Sequence, residues 1–145
     1  MILNIKKMKD NAKLPTQATS QAAGIDLYAC VPAPITIEAG TTKLIGTGVG
    51  VEIPDGYAGF IFARSGTAYK RGLAPANKVG VIDSDYRGEL IVALHNHSDT
   101  EQFVDVGERI AQLVLLEVPQ VRIYEVDNFS TTKRGAGGFG STGRK

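Results

Sequence analysis

Residues 79–96 read VGVIDSDYRGELIVALHN, two apolar runs joined by a short polar segment. Valine, isoleucine and leucine dominate both runs, whereas aspartate and glycine, which favour tight turns, lie between them. The same alternation of short apolar runs and turn residues recurs along the chain. It predicts an all-β fold, either a barrel or a sandwich.

Ten runs of this kind are predicted to form or contain strands. They are LNIKK (3–7), GIDLYA (24–29), ITIE (35–38), TTKLIGTGVGVEI (41–53), YAGFIFA (57–63), KVGVI (78–82), ELIVALHN (89–96), QFVDV (102–106), RIAQLVLLEV (109–118) and VRIYEV (121–126). Both alternating faces of ELIVALHN are apolar, which predicts a strand covered on both sides, in a small β-domain by oligomerisation. Only SGTAYKRG (65–72) is compatible with a short helical turn, for which Ser65 is a candidate cap.

The composition is that of an ordinary globular protein. The 145 residues are expected to form one domain, residues 1–133, followed by a flexible glycine-rich arm, residues 134–145. Sixteen basic and fifteen acidic residues leave a charge of +1, so we expect neither nucleic acid nor a membrane as a partner. The single cysteine, Cys30, is interpreted as a buried structural thiol. With no signal peptide recognisable, it indicates a reducing compartment, the cytoplasm.

Several polar residues interrupt the apolar pattern, and each allows a structural interpretation as well as a functional one. Asp83 directly follows the apolar residues Val81 and Ile82 and is the best candidate for a general base, although aspartate also suits a turn. Gln112 lies on an apolar strand face, where an internal hydrogen bond and a ligand contact are equally compatible with the pattern. Arg64, Ser65 and Gly66 follow a strand and could hold a phosphate or simply form a capped turn.

Three further features are weaker. Asp26 lies beside a glycine, as turn aspartates often do. His95 and His97 lie on one strand face, but two histidines without a third ligand are a weak metal site. The arm contains a literal G-x-G-x-x-G at Gly135, Gly137 and Gly140, yet too few residues follow it to build a dinucleotide-binding unit.

The order and spacing of five segments resemble the motifs of the trimeric all-β dUTPases. The segments are AAGIDLYA (22–29), ARSGTA (63–68), NKVGVIDSDYRGE (77–89), GERIAQLVL (107–115) and RGAGGFGSTG (134–143). This resemblance implies a β-clip or jelly-roll-like barrel that forms a homotrimer, with active sites shared between subunits and closed by the C-terminal arm. It implies Mg²⁺-assisted hydrolysis of dUTP to dUMP and pyrophosphate, which keeps uracil out of DNA and supplies dUMP for dTMP synthesis.

The resemblance also implies roles for individual residues. Asp83 would deprotonate the water that attacks the α-phosphorus, Gln112 would lie near that phosphate, and Tyr86 would pack under the deoxyribose. No residue would bind the metal directly, but Asp26 would lie near it. Uracil would be read by Asn77 and by the main chain at Val81, Ile82 and Ile91. The phosphates would be held by Arg64, Ser65 and Gly66, and the arm would add Arg134, Phe139, Gly140, Ser141 and Thr142, with Phe139 stacking on uracil.

The segment from Val79 to Glu89 is accordingly predicted to be a hairpin. It would carry the general base, Asp83, and the Tyr86 ring, which we call the sugar-sensing ring. Asp85 and Arg87 are interpreted as structural. Two alternatives remain: a dCTP deaminase of the same fold, which would need an acid–base residue aimed at cytosine, and a catalytically silent nucleotide-binding regulator.

Overall fold

The computed structural model describes residues 1–138, which form twelve strands and one short helix. The strands are β1 (Asn4–Lys7), β2 (Thr16–Gln17), β3 (Ile25–Tyr28), β4 (Ile35–Ile37), β5 (Thr42–Gly46), β6 (Val49–Glu52), β7 (Tyr57–Phe62), β8 (Leu73–Pro75), β9 (Gly80–Ile82), β10 (Ile91–Asn96), β11 (Gln102–Val104) and β12 (Arg109–Glu117). The helix α1 spans Ser65–Arg71. In this part of the chain no helix is long and apolar enough to cross a membrane.

The strands form four antiparallel sheets. The largest has the order β2-β3-β12-β7-β9, a second has the order β5-β10-β8, and two pairs, β1-β6 and β4-β11, complete the fold. The all-β prediction is therefore confirmed, in a jelly-roll-like arrangement. Across residues 1–138 the sheets remain separate, and strand pairing does not close them into one continuous barrel.

Alternation along the strands builds one main core. In β10 the side chains of Val92, Leu94 and Asn96 are buried, whereas Ile91 is 50% exposed on the opposite face. Each fully buried leucine or isoleucine contributes about 1.5–3 kcal/mol relative to an exposed one. One chain thus covers a single face of β10, and the cover of the second face by oligomerisation stays a prediction.

Cys30 lies in a small separate cluster with Ala12 and Val49. Its thiol is buried and donates a hydrogen bond to Asn11 Oδ1 at 3.2 Å. The prediction of a buried structural thiol is confirmed.

Two local predictions are wrong. VRIYEV forms no strand, and Val121 and Ile123 are 74% and 93% exposed. The segment has the alternation of a strand, but a strand also needs a neighbouring edge, and within residues 1–138 it pairs with none. Ser65 does not cap α1: the cap position is the extended Arg64, and no side chain there accepts a hydrogen bond from the first turn.

The segment 79–89 is not a hairpin either. Its first strand, β9, pairs with β7, whereas β10 pairs with β5 and β8. Residues 83–90 therefore cross from one sheet to another. Residue spacing predicted the turn, but it carried no information about the partner of each flanking strand.

Candidate active site

The crossing segment, residues 83–90, begins with a tight turn. The Tyr86 amide donates to the Asp83 carbonyl at 3.1 Å, and Arg87 Nη1 donates to the carbonyls of Ser84 and Tyr86 at 2.6 and 3.1 Å. Arg87 Nη2 also lies 3.6 Å from Glu52. These bonds support the structural interpretation of Arg87.

The Tyr86 side chain folds back over its own loop. Its hydroxyl donates to the Glu89 carbonyl at 3.0 Å. A Cβ at position 88 would lie 2.2 Å from that hydroxyl, so only glycine leaves room for the ring. Gly88 therefore helps to set the position of the Tyr86 ring.

A shallow pocket, which we call the β9 pocket, brings together six residues of the predicted site, those assigned to uracil, the deoxyribose and the general base. Two adjoining depressions form it and share Val81, Ile82 and Ile91. The remaining members of the set are Asn77, Asp83 and Tyr86. Because β9 is the edge strand of its sheet, one side of its backbone pairs with no other strand of residues 1–138 and can bind a ligand.

A second depression, the β12 pocket, is lined by Asp26, Arg64, Ser65 and Gln112 together with Gly24 and neighbouring alanines. It lies where β3, β12 and β7 run side by side, since Gln112 pairs with both Asp26 and Phe62. Gly66 follows Ser65, and a Cβ on it would meet nothing within 4 Å, so its backbone is open to approach. Arg64, Ser65 and Gly66, which are predicted to hold phosphate, thus lie together beside Gln112.

Gln112 is held by two features of its surroundings. Its Nε2 donates to the Ala63 carbonyl at 2.9 Å. Its Oε1 lies over Gly24, where an added Cβ would come within 2.0 Å of it. The amide therefore has an internal partner and still lines the pocket, so the two interpretations of Gln112 are compatible.

Asp26 is 7% exposed and joins two arginines. Its Oδ1 accepts from Arg64 Nε at 2.7 Å, and its Oδ2 accepts from Arg109 Nη1 at 3.1 Å. Two guanidinium groups against one carboxylate leave an excess positive charge, which suits a phosphate ligand. Sequence reasoning missed Arg109, because regular alternation would place it on the face opposite to Gln112, three residues later. A register shift between Arg109 and Ala111 instead brings it to the face of Asp26.

The two pockets are separate within one chain. Gln112 pairs with Phe62 and Ile82 pairs with Gly59, so the two positions differ by three residues along β7. At ~3.3 Å per residue, with two strand spacings of ~4.8 Å across the sheet, the separation is ~14 Å. Asp83 lies farther still, and by strand alternation the rings of Phe60 and Phe62 occupy the intervening face.

Part of the predicted site lies in the C-terminal arm. Arg134 is exposed, and its Nε donates to the Gly137 carbonyl at 2.9 Å within a turn. Phe139, Gly140, Ser141 and Thr142 lie outside the described residues. The contribution of the arm to the site therefore stays a prediction.

His95 and His97 lie away from both pockets. Their ring centroids are 4.4 Å apart, and His95 Nδ1 is 2.8 Å from Thr42 Oγ1. Desolvation, and then the proximity of His95 and Lys78, lowers the pKa of His97. Within residues 1–138, no cluster of three or more His, Cys, Asp or Glu residues is suited to hold a metal.

The donor set determines what kind of metal ion the β12 pocket suits. Both oxygens of Asp26 are occupied by arginines, so this carboxylate accepts further hydrogen bonds more readily than it binds a cation directly. Mg²⁺ commonly keeps its waters and binds substrate phosphates with few protein ligands. The residues present fit a hydrated Mg²⁺ that a phosphate ligand brings with it.

Comparisons with known proteins identify the family to which the chain belongs. A dUTPase family model matches residues 10–143. The chain is 51% identical over 133 residues to a deoxyuridine 5'-triphosphate nucleotidohydrolase of Ralstonia pickettii, covering 91% of this chain and 90% of that protein. It is 49% identical over 132 residues to the protein of that name in Burkholderia mallei, covering 90% and 89%.

Among solved structures, a Staphylococcus bacteriophage 80alpha dUTPase with dUPNHPP superimposes with a TM-score of 0.88 at 29% identity, covering 98% of each chain. The family match spans the segments that carry both pockets, and the structural match spans nearly the whole fold. The chain therefore belongs to the dUTPase family.

Proposed function

We propose that this protein is a dUTP diphosphatase, which hydrolyses dUTP to dUMP and pyrophosphate. The observation that carries the proposal is the gathering of Asn77, Asp83 and Tyr86 in the β9 pocket, within a chain of the dUTPase family. Removing dUTP would keep uracil out of DNA, and the product dUMP would supply dTMP synthesis. A buried free thiol at Cys30 is consistent with the cytoplasm as the compartment.

In the β9 pocket, uracil would bind against the free backbone of β9. Asn77 and the main chain at Val81, Ile82 and Ile91 would pair with its polar edge. A main-chain pattern built for uracil rejects cytosine, because the exchanged donor and acceptor would leave buried groups unpaired. The Tyr86 ring would lie under the deoxyribose and leave no room for a 2′-hydroxyl.

Asp83 would act as the general base. Its carboxylate would take a proton from a water while that water attacks the α-phosphorus, and the pyrophosphate group would leave. General-base assistance of this kind contributes about 10²–10⁴-fold to a rate. Asp83 begins the turn that the Tyr86 amide closes. The general base and the aromatic ring under the deoxyribose are therefore held by the same turn.

The β12 pocket would bind the phosphates. Arg64, Ser65 and Gly66 would donate hydrogen bonds to phosphate oxygens, and Gln112 would orient the α-phosphate. Asp26 and Arg109 would hold the Arg64 guanidinium in place. Bound Mg²⁺ would neutralise charge on the triphosphate, with Asp26 accepting hydrogen bonds from its waters. The arm would add Arg134, Phe139, Gly140, Ser141 and Thr142 over the bound nucleotide.

Asp83 and Gln112 serve the same phosphorus, yet one chain holds them in separate pockets. A complete site would therefore combine the β9 pocket of one copy with the β12 pocket of another, and we propose a homotrimer. The exposed apolar side chains of Val121, Ile123 and Tyr124 support assembly, because monomers rarely expose such runs. Ile91 would find its second covering face in the same assembly.

The deciding experiment measures pyrophosphate release from dUTP, dCTP, dTTP and UTP side by side, with and without Mg²⁺. We expect release from dUTP alone at a substantial rate. Ammonia released from dCTP would instead identify a deaminase, and binding without turnover would identify a regulator. Sedimentation of the same sample would test the trimer.

A further inference from the structure

Glu89 has no part in the proposed chemistry, although it lines the β9 pocket. Its carboxylate instead anchors two distant parts of the chain. Oε1 accepts from the Gly48 amide at 2.7 Å and from Lys9 Nζ at 3.0 Å. Gly48 belongs to the turn between β5 and β6, and Lys9 lies in the N-terminal segment that follows β1.

The main chain next to Glu89 is attached to the same turn. The Leu90 amide donates to the Val49 carbonyl at 2.8 Å, and Thr47 Oγ1 donates to the Leu90 carbonyl at 2.7 Å. These bonds join the end of the crossing segment to the β5–β6 turn.

Glu89 also forms the direct contact with the sugar-sensing ring. Its carbonyl oxygen is the acceptor for the Tyr86 hydroxyl. Any displacement of Glu89 from the β5–β6 turn would therefore displace the acceptor that orients Tyr86. The side chain and the carbonyl of one residue link the anchor to the ring.

We propose that Glu89 is a positioning residue that sets the selectivity for deoxyribose by holding Tyr86 against the β5–β6 turn. This inference rests on the proposed role of Tyr86 and adds a cause for the position of its ring. Of the two side-chain contacts of Glu89, the bond from the Gly48 amide is the stronger, since a charged acceptor strengthens it. Lys9 contributes less, because its side chain is 46% exposed and exposed ion pairs are weak.

The test combines local hydrogen exchange with substrate selectivity. In Glu89→Ala the Gly48 amide loses its acceptor, so its exchange should accelerate. The ratio of kcat/KM for dUTP over UTP should fall about tenfold, as expected when one hydrogen bond to a charged group is lost. Glu89→Gln keeps an acceptor for Gly48 and should restore most of the ratio, and Lys9→Met should change it less than twofold.

Two further variants make the result specific. Tyr86→Phe keeps the ring but removes the hydroxyl, so it should reproduce part of the loss without touching the β5–β6 turn. It also provides a test if Glu89→Ala does not fold. Glu101→Ala, at an exposed glutamate outside both pockets, is the matched control and should leave exchange and selectivity unchanged.

Selectivity unchanged in Glu89→Ala or in Tyr86→Phe, while Tyr86→Ala lowers it, would overturn the inference and leave the proposed function standing. Selectivity unchanged in Tyr86→Ala as well would refute the role of Tyr86 and the inference together. dUTP hydrolysis by the unaltered protein tests the proposed function separately from both results.

Discussion

Replacing Gly24 by alanine should disable the Gln112 amide without unfolding the protein. The new Cβ would lie 2.0 Å from Gln112 Oε1 and 2.9 Å from its Cδ. Unbonded carbon and oxygen atoms do not approach much below ~3 Å, so the carboxamide must retreat by about 1 Å. The same carboxamide donates to the Ala63 carbonyl at 2.9 Å, so this movement would lengthen or misalign that bond.

A displacement of about 1 Å in a positioning group costs on the order of 10²-fold in rate. Loss of one hydrogen bond lowers stability by only about 1 kcal/mol, so the variant should remain folded. We therefore expect kcat/KM for dUTP to fall about 100-fold, measured as pyrophosphate release, with a small change in Tm.

The double variant with Gln112→Ala isolates the cause. If Gly24→Ala acts by displacing the carboxamide, adding it to Gln112→Ala should cost nothing further, because residues in contact are not additive. Near-normal activity in Gly24→Ala, or a full second loss in the double variant, would refute the reasoning.

Two further changes test the proposed site, and a third tests the stability of the fold. Asp83→Asn should keep dUTP binding, measured by calorimetry, but lose about 10²–10⁴-fold in turnover; near-normal turnover would remove Asp83 as the base. Deleting residues 134–145 should leave a folded oligomer by thermal melting and sedimentation, yet with little pyrophosphate release, because the contacts proposed for Arg134 and Phe139 with bound dUTP would be lost. Full activity would make the arm a passive extension. Asn96 is fully buried, and its Nδ2 donates to the carbonyls of Ile37 and Thr100 at 2.9 and 2.7 Å. Asn96→Ala should therefore lower the free energy of unfolding, measured by urea titration, by about 2–4 kcal/mol. An unchanged midpoint would contradict the importance of these bonds.

Local composition predicted most of the strands. Apolar runs such as YAGFIFA and ELIVALHN form strands because β-branched and aromatic residues suit a pleated surface. The same criterion failed for VRIYEV, since no residue within a run encodes whether a partner edge is available. The short strands β2 and β8 were not predicted for a related reason. They form by pairing with β3 and β10, and their own composition is not typical of strands.

The candidate site was predictable to the extent that its residues lie in compact segments. Asp83 and Tyr86 are three residues apart, so one turn brings them together. The supporting bonds were not predictable, because they join distant positions: Arg109 meets Asp26 across 83 residues, and Glu89 meets Gly48 across 41. Folding creates such contacts, and spacing along the chain does not reveal them.

Because the β9 and β12 pockets lie at different positions along β7, two variants that are inactive for different reasons should regain activity when they are mixed. A chain lacking Asp83 still carries an intact Gln112, and a chain lacking Gln112 still carries Asp83. In the proposed homotrimer, refolding the two inactive proteins together in equal amounts would place an intact Asp83 of one subunit beside an intact Gln112 of another in about a quarter of the sites. A loss of function in one copy of the gene would then be partly masked by a different loss in a second copy, although neither alone would suffice.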